Sequence, residues 1–355
     1  MANKHTTLKS LFSDLADAIR EKNGSTEGII ADNFPTAIEA IKAGGFPNGT
    51  EWTQTSGTSG TVFSIYNANG IWVACGNTTG LYYSTDGKTW TQSNITSGSY
   101  KKVYNANGLW VACGFATGLY YSTDGKTWTQ SNITSGSYGG VYNANGLWVA
   151  CGAVPYYSTD GKSWTQSNIT SATGEQFNSI NYANGIWGVC GGSVGVYYST
   201  DGKTWTQSNI TSGSYHEIEN ANGIWVLCGS TPYYSTDGKT WTSTGQSRLG
   251  LRTAHNANGI WVAGSNFKGL YYSTNGKKWT QSNVTSGMFY DVSYANGIWV
   301  ACENDGGGLY YSTDGKTWTQ SNITSGSYRE IENANGIWVA GGTAGLYYSV
   351  TWEPS

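Results

Sequence analysis

The sequence predicts an all-β fold, an eight-bladed β-propeller of four-stranded blades, preceded by a small N-terminal α-helical segment. Three observations lead there. The 355 residues include 50 Gly, 17 Trp and 26 Tyr, with only 2 Met and 12% charged residues, a balance rich in turn formers and flat rings and poor in helix formers. The phrase Ala-Asn-Gly-(Ile/Leu)-Trp recurs eight times, its glycine at Gly70, Gly108, Gly146, Gly185, Gly223, Gly259, Gly297 and Gly336, about 38 residues apart. A second phrase, close to Tyr-Tyr-Ser-Thr-Asp-Gly-Lys-Thr-Trp, ends in Trp90, Trp128, Trp164, Trp205, Trp241, Trp279 and Trp318, and Trp52 opens the array in the same context.

Within a unit the apolar period is two, as in strands. In residues 90–127 four β runs follow one another, at Lys102–Asn105, Leu109–Cys113, Leu119–Ser122 and Thr127–Gln130. We name these strands A to D. Asn-Gly at 107–108 and Asp-Gly at 124–125 separate them, pairs that favour tight hairpin turns because both residues adopt positive φ at low cost. Four antiparallel strands per repeat make one blade. The last unit departs at Val350-Thr351-Trp352 without the Asp-Gly-Lys turn, whereas Glu51-Trp52-Thr53-Gln54 is a D strand with no unit before it. Pairing the two ends would close the ring and leave no open sheet edge.

Residues 1–46 read differently. Leu8, Leu11, Phe12, Leu15, Ala16 and Ile19 fall at helical spacing before a stop at Asn23-Gly24, and a second short helix is expected from Pro35 to Lys42. Two such helices cannot bury a core alone, so this segment is expected to attach to copies of itself, to a larger assembly or to the propeller. Residues 47–50 form the linker and 51–355 the propeller. The segment has no apolar signal region, so export by a signal peptide is not expected.

Ser84-Thr85-Asp86-Gly87-Lys88-Thr89-Trp90, repeated down to residues 312–318, resembles the Asp-box of BNR and sialidase-type propellers, over nearly all of 51–352. It departs from that pattern in one respect, since Asp and Gly are adjacent here. The phrase beginning Leu8-Lys9-Ser10-Leu11-Phe12 also resembles the N-terminal segment of tail-associated proteins of phages and prophages of Gram-positive gut bacteria. That resemblance implies a tail-fibre or receptor-binding component, located in the virion tail and assembled in the bacterial cytoplasm. Its implied partners are a host surface glycan or protein and, through residues 1–46, other virion proteins or itself.

Repeated groups call for structural explanations. Cys75, Cys113, Cys151, Cys190, Cys228 and Cys302 share one place on strand B. Equivalent atoms of adjacent blades lie too far apart for disulfides, and the spacing is wrong for a zinc knuckle. They are expected to be buried thiols, suited to a reducing compartment. Asn-Ile-Thr triplets at Asn94, Asn132, Asn168, Asn209 and Asn322, with Asn283-Val284-Thr285, match a glycosylation sequon but are expected to be hydrogen-bonded loops. Asp86, Asp124, Asp160, Asp201, Asp237 and Asp314 are expected to accept bonds from their own turns, with Asn275 able to do the same. The repeated tyrosines and tryptophans are expected to pack between blades.

Function should lie where the units differ. The pair 11 and 12 residues after each D-strand Trp reads Phe63-Ser64, Lys101-Lys102, Gly139-Gly140, His216-Glu217, Arg252-Thr253, Tyr290-Asp291 and Arg329-Glu330, with Asn178-Ser179 after a three-residue insertion. The B–C loops vary as well, offering Phe115, Phe267, Asn304 and Asp305, and their lengths change, whereas the A–B and C–D turns never change length. All variation therefore falls on one rim, the arrangement of a loop-borne binding face on a fixed scaffold. The candidate ligand-binding residues are Lys101, Lys102, Phe115, His216, Glu217, Arg252, Phe267, Tyr290, Asp291, Asn304, Asp305, Arg329 and Glu330.

No catalytic residue, metal ligand or cofactor is expected. A sialidase-like hydrolase, the alternative reading, needs an arginine cluster and two carboxylates converging on the channel mouth, and the propeller has only Arg248, Arg252 and Arg329. A purely structural virion protein is the third reading. A net charge of −3 argues against nucleic acid, and no run of about 18 apolar residues argues for a membrane span. The expectation is a non-catalytic ligand-binding propeller.

Overall fold

The thirty-two strands of the computed structural model fall into eight antiparallel sheets of four, within the described residues 49–350 apart from 59, 170–175 and 344. The first complete blade joins β2 (Val62–Ala68), β3 (Ile71–Gly76), β4 (Leu81–Ser84) and β5 (Thr91–Gln92) in that order. The next joins β6 (Ser99–Ala106), β7 (Leu109–Phe115), β8 (Leu119–Ser122) and β9 (Thr129–Gln130). The pattern repeats through β26 (Phe289–Ala295) to β29 (Thr319–Gln320). The A strands of successive blades contact one another around the ring and form its innermost layer. Among the described residues no helix is long and apolar enough to cross a membrane. The helices expected in residues 1–46 lie outside the described residues, as does the insertion loop of the fourth blade.

The ring closes as its ends imply. β1 (Thr53–Gln54) pairs with β32 (Gly345–Val350), placing Thr53 opposite Tyr348 and Gln54 opposite Tyr347. The eighth sheet is therefore β1-β32-β31-β30, with β30 at Tyr328–Ala334 and β31 at Ile337–Gly342. Trp52, just before β1, is buried at 4% exposure in the cluster around Trp338, Tyr328 and Ile331.

Two local expectations need correction. Strand A is longer than its apolar core, running Ser99–Ala106 in β6, while strand D holds only two residues and begins after its Trp. The two turn types also differ. Asn69 and Gly70 both have positive φ, 53° and 75°, as a two-residue hairpin between twisted strands requires, and the other Ala-Asn-Gly turns do the same. In the Asp-Gly turns only the glycine is left-handed, and side chains build a wider loop. The Asp86 carboxylate accepts from the amides of Lys88 and Thr89, each at 2.8 Å, and the Ser84 hydroxyl accepts from Gly87 N at 2.9 Å. Partial burial raises the acid's pKa, but those donors outweigh it and hold Asp86 below the usual carboxylate value.

The Asn-Ile-Thr loops are clamps between blades. The Asn94 amide accepts from Trp128 N at 2.8 Å and donates to Trp128 O at 2.9 Å, so one side chain holds both backbone groups of the residue that leads into the next blade's outer strand. Asn132, Asn168, Asn209, Asn283 and Asn322 repeat the geometry onto Trp164, Trp205, Trp241, Trp318 and Trp52, and Gln246 does so onto Trp279. At the remaining junction, where the chain reads Thr-Ser-Gly instead, the Ser56 carbonyl accepts from Trp90 N at 3.1 Å. The six cysteines are free and buried. Lysines of the Asp-Gly turns lie over tyrosine rings of the preceding blade, as Lys126 does over Tyr83 at 5.6 Å.

Candidate ligand site at the channel mouth

Every A strand carries a β-bulge at the same place. In β6 the pairing passes from Tyr100 to Lys102 and skips Lys101, and the other seven A strands skip Phe63, Gly139, Asn178, His216, Arg252, Tyr290 and Arg329. A bulge sets two consecutive residues against one partner and re-aims their side chains. Strict alternation would turn Lys101 and Lys102 to opposite faces, but the bulge lets both reach the channel. All eight bulged residues line one cavity of ≈ 380 Å³ at the mouth, with Lys102, Glu217, Thr253 and Glu330 below them and Phe115 at the edge.

Nine of the thirteen sequence-selected residues thus meet at one place: Lys101, Lys102, Phe115, His216, Glu217, Arg252, Tyr290, Arg329 and Glu330. Four do not line it. Asp291 turns its oxygens to the amides of Val292 and Ile331, each at 2.8 Å. Asn304 stands behind Arg329 and accepts from its Nε at 3.1 Å. Asp305 is exposed on its loop, and Phe267 is 74% exposed beyond the cavity lining. Phe63, Gly139, Asn178 and Thr253 also line the cavity. They belong to the variable pairs, so the signal for them was present, but their types carried less chemistry than the charged neighbours chosen.

The rim is a chain of cations and rings. Lys101 Nζ lies 5.9 Å from the Phe115 ring centroid, and Phe115 meets Phe63 edge-on at 6.3 Å. Arg329 stands 4.9 Å from Phe63 and 5.3 Å from Tyr290, and Arg252 lies over the other approach to Tyr290 at 3.5 Å. Arg252 Nη1 donates to Asn266 Oδ1 at 3.4 Å, and Asn266 Nδ2 lies 3.1 Å from His216 Nε2. Burial, with Arg252 and Lys101 nearby, pushes His216 down to about 4, so the ring is neutral at pH 7 and its Nε2 can accept that bond. Among the described residues no carboxylate lies within ion-pair distance of Lys101, Arg252 or Arg329. The rings fix these cations in place without neutralising them.

Below the rim the charge reverses. Glu330 Oε1 accepts from Lys102 Nζ at 2.7 Å and from the Ser64 hydroxyl at 3.4 Å, and Glu217 Oε2 accepts from Ala254 N at 2.8 Å. These acids tie one A strand to the next. Deeper in the channel Glu219 accepts from Asn181 Nδ2 at 2.7 Å. Burial, then the neighbouring acids, raises Glu219 and Glu332 to about 8. Tyr66, Tyr104 and Tyr142 occupy the same deeper layer, Tyr66 tilted against Tyr104 at 5.0 Å and Tyr104 stacked on Tyr142 at 5.1 Å. Among the described residues no group of three or more His, Cys, Asp or Glu side chains could hold a metal ion.

Among solved structures the fold is similar to the computationally designed Ika8 protein, at TM-score 0.69 and 9% identity over 86% of this chain and all of that one. It is also similar to YCF48 bound to D1 peptide, at TM-score 0.55 and 16% identity over 87% and 98%, and to the WD40 propeller domain of Doa1, at TM-score 0.53 and 12% identity over 86% and 97%. No protein-family model and no curated protein sequence matches the chain. The chain is therefore an eight-bladed β-propeller similar to these structures, and at these identities the likeness extends to the fold alone.

Proposed function

We propose that this propeller is a non-catalytic binding module whose ligand sits in the channel mouth. The observation that carries the reading is that eight blades, otherwise copies of one another, bring seven residue types to one cavity at a single equivalent position, with only Arg252 and Arg329 alike. A scaffold repeated for stability with an unrepeated ring at one opening is what a selective site needs. With the phage-like N-terminal phrase, the chain is read as a tail-fibre or receptor-binding component that holds a host surface glycan or protein. Residues 1–46 would join it to the virion or to other copies. YCF48, of the same fold, has been solved with D1 peptide bound, which supports a protein ligand as one form of this reading.

A sialidase-like hydrolase has one observation in its favour, since arginines and carboxylates do converge at the mouth. The carboxylates, however, are engaged by Lys102, Ser64 and the Ala254 amide, which leaves no free acid–nucleophile pair. The test is adhesion of the labelled full chain to whole bacteria, alongside an assay for released sugar. The binding reading expects saturable adhesion, reduced at least tenfold by Lys101→Met with Arg252→Gln and Arg329→Gln, and no release. Release of sugar would establish the hydrolase reading, and absence of adhesion to any host would leave the structural virion role.

A further inference from the structure

The mouth has an ordered sequence of charge that constrains what can enter it. Its outer layer holds three fixed cations, Lys101, Arg252 and Arg329, with no ion pair among the described residues. Its floor holds Glu217 and Glu330, which already accept from the Ala254 amide, Lys102 and Ser64 but keep carboxylate lone pairs for a further donor, with the Lys102 charge taken up by Glu330. A sulfate ion would satisfy the outer layer but brings no donor for the floor, and a phosphate ion brings only one or two hydroxyls set on the same small tetrahedron as its charge. An alkyl or aryl acid would leave floor acceptors facing carbon, which is unfavourable for buried polar groups. A ligand with one carboxylate and several hydroxyls meets both layers, the carboxylate taking guanidinium forks and the hydroxyls donating downward.

The rim chain also has a break. It runs from Lys101 through Phe63, Arg329 and Tyr290 to Arg252 and His216, but on the third blade the equivalent residue is Gly139. A side chain there has no room, because its Cβ would press on the Phe177 carbonyl oxygen of the neighbouring A strand. Gly139 therefore adds neither charge nor ring to the rim, and the cations stand on other blades. A cavity of ≈ 380 Å³ is of a size for one or two sugar units, not for a folded protein surface.

We propose, building on the binding reading above, that the mouth holds an acidic sugar residue of a surface glycan. Its carboxylate is clasped by Lys101, Arg252 and Arg329, and its hydroxyls donate to Glu217 and Glu330.

Ligand-observed NMR and calorimetry on the full chain test this with matched probes: glucuronate and galacturonate against glucose and galactose, with inorganic phosphate and a hexaglutamate peptide as further probes. At least one uronate should bind tenfold or more tighter than its neutral parent, and the difference should shrink as salt rises from about 50 to 500 mM. Arg252→Gln with Arg329→Gln should erase the difference. Lys101→Met, which keeps an unbranched side chain beside the Phe115 ring, should reduce it with the fold unchanged by circular dichroism. Neutral sugars binding as tightly, variants binding as the parent does, or phosphate or the peptide binding in place of uronates would each overturn the assignment. Retained adhesion to bacteria in those cases would leave the broader binding reading standing. Loss of both would remove the two together.

Discussion

Lys102 Nζ lies 2.7 Å from Glu330 Oε1, a contact between residues 228 positions apart that crosses the intervening first blade. It joins the second and eighth blades inside the channel, directly below the cations of the mouth. Burial alone would lower the lysine's pKa, but Glu330, Asp291 and Glu217 together raise it, so Lys102 stays charged at any working pH.

Removing Lys102 should be more harmful than removing the pair. Lys102→Met leaves Glu330 half-buried without its cation. The side chains are 38% and 18% exposed, so solvent screens part of the loss, and a cost of about 1–3 kcal/mol is expected. Lys102→Met with Glu330→Gln should recover most of it. Chemical denaturation of the three proteins checks this, and a double variant weaker than the single one would contradict it.

Stability should be greatest on the acid side of neutrality. Burial, then Glu217 beside the first and Glu330 beside the second, raises Glu219 and Glu332 to about 8, and burial raises Glu330 to about 7 and Asp291 to about 6. In the unfolded chain these acids ionise near pH 4. Between there and pH 8 the unfolded chain has released protons that the folded one keeps, so unfolding becomes easier as pH rises. The turn aspartates, such as Asp160, work oppositely. The Ser163 amide holds Asp160 low, so that contribution is lost only as pH falls through its depressed value. Melting temperatures should therefore peak near pH 5 and fall toward pH 8, and Glu219→Gln with Glu332→Gln should flatten the fall.

Closure of the ring should depend on Trp52. The side chain is buried at 4% exposure, and its backbone is clamped by Asn322, which accepts from Trp52 N at 2.8 Å. Trp52→Ala should cost about 3–5 kcal/mol, the range for a deleted core indole. An unchanged melting curve would mean that the eighth blade holds without its outer strand.

The junction between the eighth and first blades should respond differently from the others. Asn132→Ala removes both bonds to Trp164, at 2.8 and 3.0 Å, and should cost about 1–2 kcal/mol. Ser56→Ala should be close to neutral, because at that junction the clamp is a backbone carbonyl.

The cysteines should be chemically silent. All six are free and buried, and burial pushes the Cys113 and Cys151 thiols up to about 12. A thiol reagent should label none of them in the native protein and all six after denaturation.

The chain alone announced the eight blades, because its apolar period and its Asn-Gly turns are local properties that each repeat states again. It also announced closure, since Trp52 without a preceding unit matches a last unit lacking its own D strand. The comparison of copies found Lys101, Arg252, Tyr290 and Arg329, because in a repeated scaffold a departure at one position stands out. Tertiary structure decided the rest. A period of two cannot place Lys101 and Lys102 in the same channel; the bulge does, and a bulge is an event in strand pairing that leaves no mark on one strand's pattern. Nor could the sequence separate Asp291, which ties β26 to β30, from Glu330, which lines the cavity, although both hold the same place in the repeat. Which acceptor a carboxylate meets depends on what the neighbouring blade presents, and that is settled only when eight sheets are brought around one axis.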